Sequence, residues 1–220
     1  MTDEGMRYRA LRARLNACSP LAQGVRILPV TKTVEAARIL PLRDEGVTEI
    51  GENRVQEALE KLPALGDAFG IRIIGRLQTN KARYVARFAR AVESLDRIEL
   101  AEALQRALDR ENRVLDVLIE VNAGNDPAKA GVSPEEANAF LRALSAYDRL
   151  RVRGLMTVAP IAPDPEAVRP CFRRMRRLFE DLGAGEWDTL SMGMSADCEV
   201  AAEEGATQVR AGSAIFGKRN

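Results

Sequence analysis

The pattern of apolar and polar residues predicts short apolar strands that alternate with amphipathic helices along most of the chain. The predicted strands are 26–31, 47–51, 71–74, 90–95, 117–121, 152–157, 189–193 and 207–210. Strands that alternate with helices in this way are typical of a parallel sheet. Eight strand–helix units within 220 residues predict a closed (β/α)8 TIM barrel. An open doubly wound sheet is the alternative, but no G-x-G-x-x-G follows the first strand, which weakens a dinucleotide-binding version of it.

An additional helix is predicted before the first strand. Residues 3–17 place Met6, Leu11 and Leu15 roughly on one helical face amid arginines, so we expect an amphipathic helix that packs on the outside of the barrel. No linker or shift in composition divides the chain. We therefore expect a single domain over residues 1–220, with residues 1–20 forming the external helix.

Three local patterns predict where helices begin. Asp96 with Glu99 has capping-box character, and the segment 133–136 (Ser-Pro-Glu-Glu) is another helix start, with proline at the first helical position. Ser195 follows a glycine turn after the seventh strand, where it would cap the next helix.

Composition and charge restrict the function. Apolar residues make up 46% and charged residues 30% of the chain, and the net charge is +1, so no general attraction to nucleic acid or membranes is expected. The absence of histidine excludes Ser-His-Asp and Cys-His catalysis. Cys18, Cys171 and Cys198 lack CxxC spacing, which predicts reduced thiols without a zinc site. With no long apolar run and no signal-like start, the expected location is the cytoplasm.

The end of the first predicted strand carries a lysine, in the segment Val30-Thr31-Lys32-Thr33. Active sites of α/β barrels lie at the carboxyl ends of the strands. Desolvation disfavours the charged form of a lysine, and a neutral lysine amine can form a Schiff base with an aldehyde. A lysine at the barrel rim, with its charge in solvent, is the other interpretation. These four residues alone leave both interpretations open.

Two glycine-containing turns predict an anion site beside Lys32. Ser195 follows the seventh strand, and Gly212 and Ser213 follow the eighth. Free backbone N–H groups at helix starts favour anions, and barrels frequently bind phosphate with these two loops. Closure of the barrel places the first strand next to the eighth. An aldehyde that carries a phosphate fits both features, and pyridoxal 5′-phosphate (PLP) is such a compound.

Several segments distributed over nearly the whole chain resemble one family. They are Val30-Thr31-Lys32-Thr33, 51–57 (GENRVQE), 74–81 (IGRLQTNK), 154–157 (GLMT), 190–197 (LSMGMSAD) and 209–217 (VRAGSAIFG). In these segments the chain resembles the pyridoxal phosphate homeostasis protein family, also called the YggS/PROSC family. Its members are single-domain barrels similar to the N-terminal domain of alanine racemase.

The resemblance implies a set of cofactor-binding residues and no catalytic or metal-binding ones. The implied set is Lys32 as the Schiff-base lysine, Ser195, Gly212 and Ser213 around the phosphate, Arg210 facing the pyridine nitrogen, Asn53 near the ring, and Met156 and Met192 lining the barrel mouth. The sequence departs from the family pattern in having Thr31 for a serine, Arg54 for a tyrosine, and 71–73 (Ile-Arg-Ile) for a Trp-His-Phe-like run. None of these changes removes the lysine, the phosphate-binding turns or the arginine.

The resemblance further implies a non-catalytic cytoplasmic protein that stores, protects or delivers PLP. Its implied partners are PLP and, as candidates, apo forms of PLP-dependent enzymes, with no nucleic acid or membrane, and we expect a monomer or weak homodimer. The alternative is a small racemase-like enzyme of PLP fold type III. A cation such as Arg210 beside the pyridine nitrogen keeps that nitrogen unprotonated and makes the ring a poorer electron sink, which favours storage. An arginine-rich helix near 173–177 is read as a solvated surface.

Overall fold

The computed structural model describes residues 2–183 and 185–217. Its strands form one eight-stranded parallel sheet in the order β1-β8-β7-β6-β5-β4-β3-β2. The two outer strands of that order meet through a parallel bridge between Val30 and Gly51, where the Thr31 N–H donates to the Gly51 carbonyl oxygen at 3.0 Å. The sheet therefore closes into a barrel, which confirms the predicted TIM-barrel fold and excludes an open doubly wound sheet.

All eight predicted strands are present, with bounds that differ from the predictions by a few residues. They are β1 Arg26–Pro29, β2 Glu49–Glu52, β3 Gly70–Ile73, β4 Ala91–Leu95, β5 Leu115–Glu120, β6 Leu150–Met156, β7 Thr189–Met194 and β8 Gln208–Ala211. The α-helices of the described residues are α1 Asp3–Cys18, α2 Ala36–Ile39, α3 Val55–Leu65, α4 Ala82–Phe88, α5 Ile98–Glu111, α6 Ala137–Leu144, α7 Arg169–Gly183, α8 Cys198–Glu203 and α9 Ser213–Phe216. None of them has the length and apolar character needed to cross a membrane.

Helix α1 packs outside the barrel against α8 and α9, as predicted, but its buried face differs from the prediction. Tyr8, Leu11 and Leu15 are buried, whereas Met6 is 47% exposed. Leu15 lies four residues after Leu11 and Tyr8 three residues before it, so these side chains share one face. Met6 lies five residues before Leu11, which rotates it by roughly 140° around the helix. The assignment of Met6 to the buried face was wrong for this reason.

The segment 133–136 forms a capping box, whereas the one predicted at Asp96 and Glu99 does not form. The Glu136 N–H donates to Ser133 Oγ at 3.2 Å, and the Ser133 N–H donates to Glu136 Oε2 at 3.3 Å. Asp96 does not cap α5, whose N-cap residue is Arg97 and lacks a side-chain cap. The Asp96 carboxylate binds the Arg97 guanidinium instead, because a charge-assisted bond is stronger than one to a neutral backbone N–H.

The interior of the barrel contains a network of charged and polar side chains. Arg72 Nε donates to Glu93 Oε1 at 2.6 Å, and its Nη1 donates to Glu49 Oε2 at 3.1 Å. Glu93 also accepts hydrogen bonds from Ser191 Oγ at 2.7 Å and Gln208 Nε2 at 2.8 Å. Burial alone would raise the pKa of Glu93, but the nearby arginines and these hydrogen bonds lower it below its ordinary value. The Arg72 that distinguishes segment 71–73 from the family pattern is thus a paired charge inside the barrel.

Candidate functional site

A cavity of about 380 Å³ lies at the carboxyl ends of β1, β7 and β8. It brings together five of the residues that the sequence nominated. These are Lys32, Ser195, Arg210, Gly212 and Ser213. Val30, Val34, Met194, Ala196, Phe216 and Gly217 complete its lining. A predicted amine and a predicted anion site therefore face one space, as closure of β1 against β8 requires.

Lys32 occupies the turn that follows β1 and is partly exposed to the cavity. Within residues 2–183 and 185–217 its amine has no hydrogen-bond, ion-pair or cation–π partner, which distinguishes it from Lys61, Lys81 and Lys129. Lys61 binds two carboxylates, and Lys129 Nζ donates to the carbonyl oxygens of Val158 and Ala159. Lys81 lies over the Tyr84 ring at 5.6 Å. Among the described residues, Lys32 therefore carries the lysine amine that faces the cavity and is free to react with a ligand.

Ser195 connects the loops after β7 and β8. Its Oγ accepts hydrogen bonds from the N–H groups of Gly212 and Ala214, both at 3.2 Å. Since a hydroxyl oxygen has two acceptor positions, its own hydrogen remains available to donate to a ligand. The N–H groups of Ser195, Ala196 and Ser213 have no partner within the described part of the chain. Such a group of unused donors suits an anion with several oxygens, and a phosphate is one.

The prediction that Ser195 caps the helix after β7 is wrong. The N-cap residue of α8 is Asp197, whose Oδ1 accepts a hydrogen bond from the Met194 N–H at 2.5 Å. Gly193 has φ +89°, and a Cβ there would lie 2.5 Å from Ala201 Cβ on α8. The tight turn at this glycine directs Ser195 away from α8 and toward the start of α9.

Arg210 crosses the floor of the cavity and is 4% exposed. Its Nη1 donates to the Ser191 carbonyl oxygen at 2.9 Å and to Ser191 Oγ at 2.7 Å, and its Nη2 donates to the Thr157 carbonyl oxygen at 2.7 Å. The Nε–H and one Nη2 hydrogen have no partner among the described residues, so the side chain retains donors for a ligand. Burial lowers the pKa of Arg210, and the nearby Glu93 opposes that shift. A guanidinium remains a cation at neutral pH despite such a shift.

Three nominated residues lie outside the cavity lining. Met192 is fully buried in the hydrophobic core and alternates with the inward-facing Ser191, so it faces the helices and does not line the mouth. Met156 is fully buried at the end of β6, in register with Glu120 and Ser191. Asn53 is half-buried after β2. Met194 provides the methionine contact at the cavity instead.

Glu120 at the end of β5 is an ionisable group of the barrel mouth that sequence reasoning missed. It is 8% exposed, and its carboxylate has no hydrogen-bond partner among the described residues. Burial, reinforced by the nearby Asp96, raises its pKa to about 7, while Arg210, Arg76 and Arg97 act in the opposite direction. The signal available in the sequence was a carboxylate near the end of the otherwise apolar predicted strand 117–121.

Comparison with known proteins identifies the class of fold and then the family. The family model described as "Alanine racemase, N-terminal domain" matches residues 6–220. The alanine racemase of Clostridium difficile 630 superimposes with a TM-score of 0.76 at 16% identity, over 94% of this chain and 55% of that one. At that identity the similarity concerns the fold alone.

Relatives of similar length are more informative. The chain is 42% identical to the pyridoxal phosphate homeostasis protein of Aquifex aeolicus (strain VF5), over 96% of each protein. It is 35% identical to the protein of the same name from Escherichia coli (strain K12), over 96% of this chain and 92% of that one. PipY of Synechococcus elongatus PCC7942, solved with PLP bound, superimposes with a TM-score of 0.86 at 32% identity, over 97% of this chain and 100% of PipY. The chain belongs to the pyridoxal phosphate homeostasis protein family.

Proposed function

We propose that this protein binds PLP reversibly through Lys32 and serves PLP homeostasis by storing, protecting or delivering the cofactor. The observation that carries the proposal is one cavity that holds a buried arginine together with a lysine amine and several N–H and O–H donors that have no partner among the described residues. The Lys32 nitrogen adds to the aldehyde carbon, a C=N bond forms, and the aldehyde oxygen leaves as water. The names of the relatives and the PLP bound to PipY support the same ligand.

Each remaining part of the cavity matches one part of PLP. The Ser195 hydroxyl and the N–H groups of Ser195, Ala196 and Ser213 would donate to the phosphate, whereas the Gly212 N–H already donates to Ser195 Oγ. The unused donors of Arg210 would face the pyridine nitrogen as an acceptor. PLP supplies an electron sink when it is bound, and a permanent cation beside its ring nitrogen weakens that sink. The chain thus favours holding the cofactor over chemistry on amino acids.

We also propose that the protein has no amino-acid turnover. Racemisation by two bases requires a proton-transferring group on each face of the cofactor, and Lys32 would supply only one. Tyr8 is buried in α1, Tyr84 packs with Lys81 and Arg83, and Tyr147 packs against the core. No tyrosine lines the cavity within the described residues. The racemase-like alternative therefore lacks a visible second base.

The cytoplasm is the proposed location, with apo forms of PLP-dependent enzymes as candidate partners and a monomer or weak homodimer as the expected state. The cysteines are free thiols, as expected in a reducing compartment. Nucleic acid is not a proposed partner, because arginines of the α7 surface pair with carboxylates. Arg173 binds Glu204 at 3.0 Å and Arg176 binds Glu180 at 2.7 Å.

Two measurements test the proposal, the first on the purified protein without PLP and the second on the PLP-loaded protein. PLP titration should produce an absorbance band near roughly 420 nm, typical of a protonated Schiff base. Incubation with L-alanine in deuterated water should give no exchange at Cα and no D-alanine. Steady alanine turnover that disappears in Lys32→Ala would replace the storage function with the racemase-like one, and the absence of any PLP complex would refute both.

A further inference from the structure

The backbone around Lys32 has an unfavourable conformation. Thr33 has φ +63°, in the left-handed region that β-branched residues rarely adopt. Such conformations persist where surrounding contacts fix them, and they cluster at functional sites. Two carboxylates provide contacts of this kind on either side of Lys32. The Thr33 N–H donates to Glu57 Oε1, and Thr31 Oγ1 donates to Glu52 Oε1 at 2.5 Å.

Lys61 of α3 joins these contacts into one cluster. Its Nζ donates to the Thr31 carbonyl oxygen at 2.6 Å and to Oε1 of both Glu52 and Glu57 at 2.7 Å. An ammonium group has three hydrogens, so these three acceptors satisfy it completely. Lys61 therefore holds the residue before Lys32 directly and the residue after it through Glu57.

The cluster is buried enough for these bonds to matter. The side chains of Lys61 and Glu52 are 11% and 0% exposed. Among the described residues Glu52 Oε2 has no hydrogen-bond partner, and burial raises the pKa of Glu52 despite its bonds to Lys61 and Thr31. Burial alone would also raise the pKa of Glu57, but the bonds from Lys61 and Thr33 lower it. Without the Lys61 ammonium, two carboxylates would be left close together, and a buried carboxylate without its counter-charge is unfavourable.

We propose that Lys61 is a positioning residue that holds the left-handed turn at Thr33 and thereby places the Lys32 amine opposite the phosphate-binding turns. The inference rests on the proposed function, because it assigns Lys61 a role in the reaction of Lys32 with the PLP aldehyde. Lys61 itself lies outside the cavity lining and acts through the backbone of Thr31 and through Glu57.

The test compares Lys61→Met with Lys61→Arg and uses Lys81→Met as the matched control, because Lys81 contacts the Tyr84 ring outside the cavity. Two ligands separate the roles: PLP, which needs both the amine and the phosphate site, and pyridoxine 5′-phosphate, which has no aldehyde and needs only the phosphate site. Lys61→Met should weaken PLP binding by about tenfold or more, as expected for lost bonds to charged groups, and should leave pyridoxine 5′-phosphate binding within about twofold. Lys61→Arg should recover most of the PLP affinity, and Lys81→Met should behave like the unmodified protein.

A second substitution tests whether Lys61 acts on Lys32 through the left-handed turn at Thr33. Asparagine adopts the left-handed region more readily than threonine, so Thr33→Asn should restore part of the PLP affinity in the Lys61→Met background.

Equal PLP affinity of Lys61→Met and the unmodified protein would overturn the inference, as would parallel loss of binding to both ligands. If Lys61→Met fails to fold, Glu57→Gln removes part of the same cluster, and unchanged PLP affinity in that variant overturns the inference. If the unmodified protein forms no bond between Lys32 and PLP, the proposed function fails first, which distinguishes the two failures.

Discussion

The two sides of the barrel mouth are built from different chemical groups. On the side of β1, β7 and β8, the cavity offers backbone N–H groups, a serine hydroxyl and a lysine amine without a partner. On the side of β4 and β5, Glu120 is near the charges of Asp96, Arg76 and Arg97, and Arg210 of β8 acts on Glu120 from the cavity side. The first side has unused donors and suits an anionic ligand, whereas the second is an arrangement of opposite charges. The difference predicts that changes at Lys32 or Ser195 act on ligand binding, whereas Arg210 borders both sides.

The largest expected effect is on stability and concerns the barrel interior. Arg72→Met removes the cation that binds the fully buried Glu93, so the free energy of unfolding should fall by about 3–5 kcal/mol. Arg151→Met is the matched control, because Arg151 pairs with Asp116 on the surface and is 58% exposed. It should cost at most about 1 kcal/mol in denaturant unfolding. Equal effects of the two variants would show that the interior network does not stabilise the barrel.

The second-largest expected effect is on PLP binding and leaves folding unchanged. Lys32→Ala should reduce PLP affinity by on the order of a hundredfold, or about 3 kcal/mol, and abolish the absorbance band of the complex. Lys129→Ala should keep the band, because that amine is already bonded to carbonyl oxygens. Thermal unfolding should show that both variants fold. An intact band in Lys32→Ala would move the Schiff base to another lysine.

A smaller effect is expected at the phosphate-binding turns. Ser195→Ala removes the hydroxyl hydrogen that we assign to the phosphate, so PLP binding should weaken by about 1–3 kcal/mol. Pyridoxal, which lacks the phosphate, should bind both forms equally. Ser145→Ala serves as the control, because Ser145 is exposed and bonds only the Arg142 carbonyl oxygen. If Ser195→Ala weakened pyridoxal and PLP alike, Ser195 would not contact the phosphate.

The smallest effect is a pH dependence from Glu120, whose pKa is raised by burial to about 7. The folded state holds this proton more tightly than the unfolded state, so the contribution of Glu120 to stability is present in acid and is lost as the pH rises through about 7. Glu120→Gln lacks this loss, so its free energy of unfolding relative to the unmodified protein should improve from pH 5 to 8. Glu99→Gln on the exposed start of α5 is the control. Parallel pH profiles for Glu120→Gln and the unmodified protein would contradict the assignment.

The fold and the binding side of the mouth were largely predictable from sequence because they depend on local patterns. Strand periodicity predicted the barrel, and the glycine turns after the last two strands predicted which loops line the cavity beside Lys32. The partner of Ser195 was not predictable, since whether its side chain reaches α8 or α9 depends on the direction of the turn at Gly193. Met192 was predicted to line the barrel mouth because it belongs to segment 190–197, but a matching segment does not show which face of a strand a side chain occupies.

The charged clusters also could not be predicted from the sequence. Arg72 and Glu93 are far apart in the chain and meet only because β3 and β4 are neighbours in the barrel. The Lys61 cluster combines a helix residue with the end of β2 and the turn after β1. Such contacts depend on which inward-facing side chains the register brings together, and the pattern of a single strand does not contain that information.

The most direct test of the account is to identify the lysine that carries PLP. The holo-protein is treated with borohydride, which reduces the C=N bond and fixes the pyridoxyl group, and peptide mapping then locates it. The account predicts the pyridoxyl group on Lys32, with little on the other lysines and none on Lys32→Ala. A pyridoxyl group found mainly on Lys81 or Lys129 would contradict it.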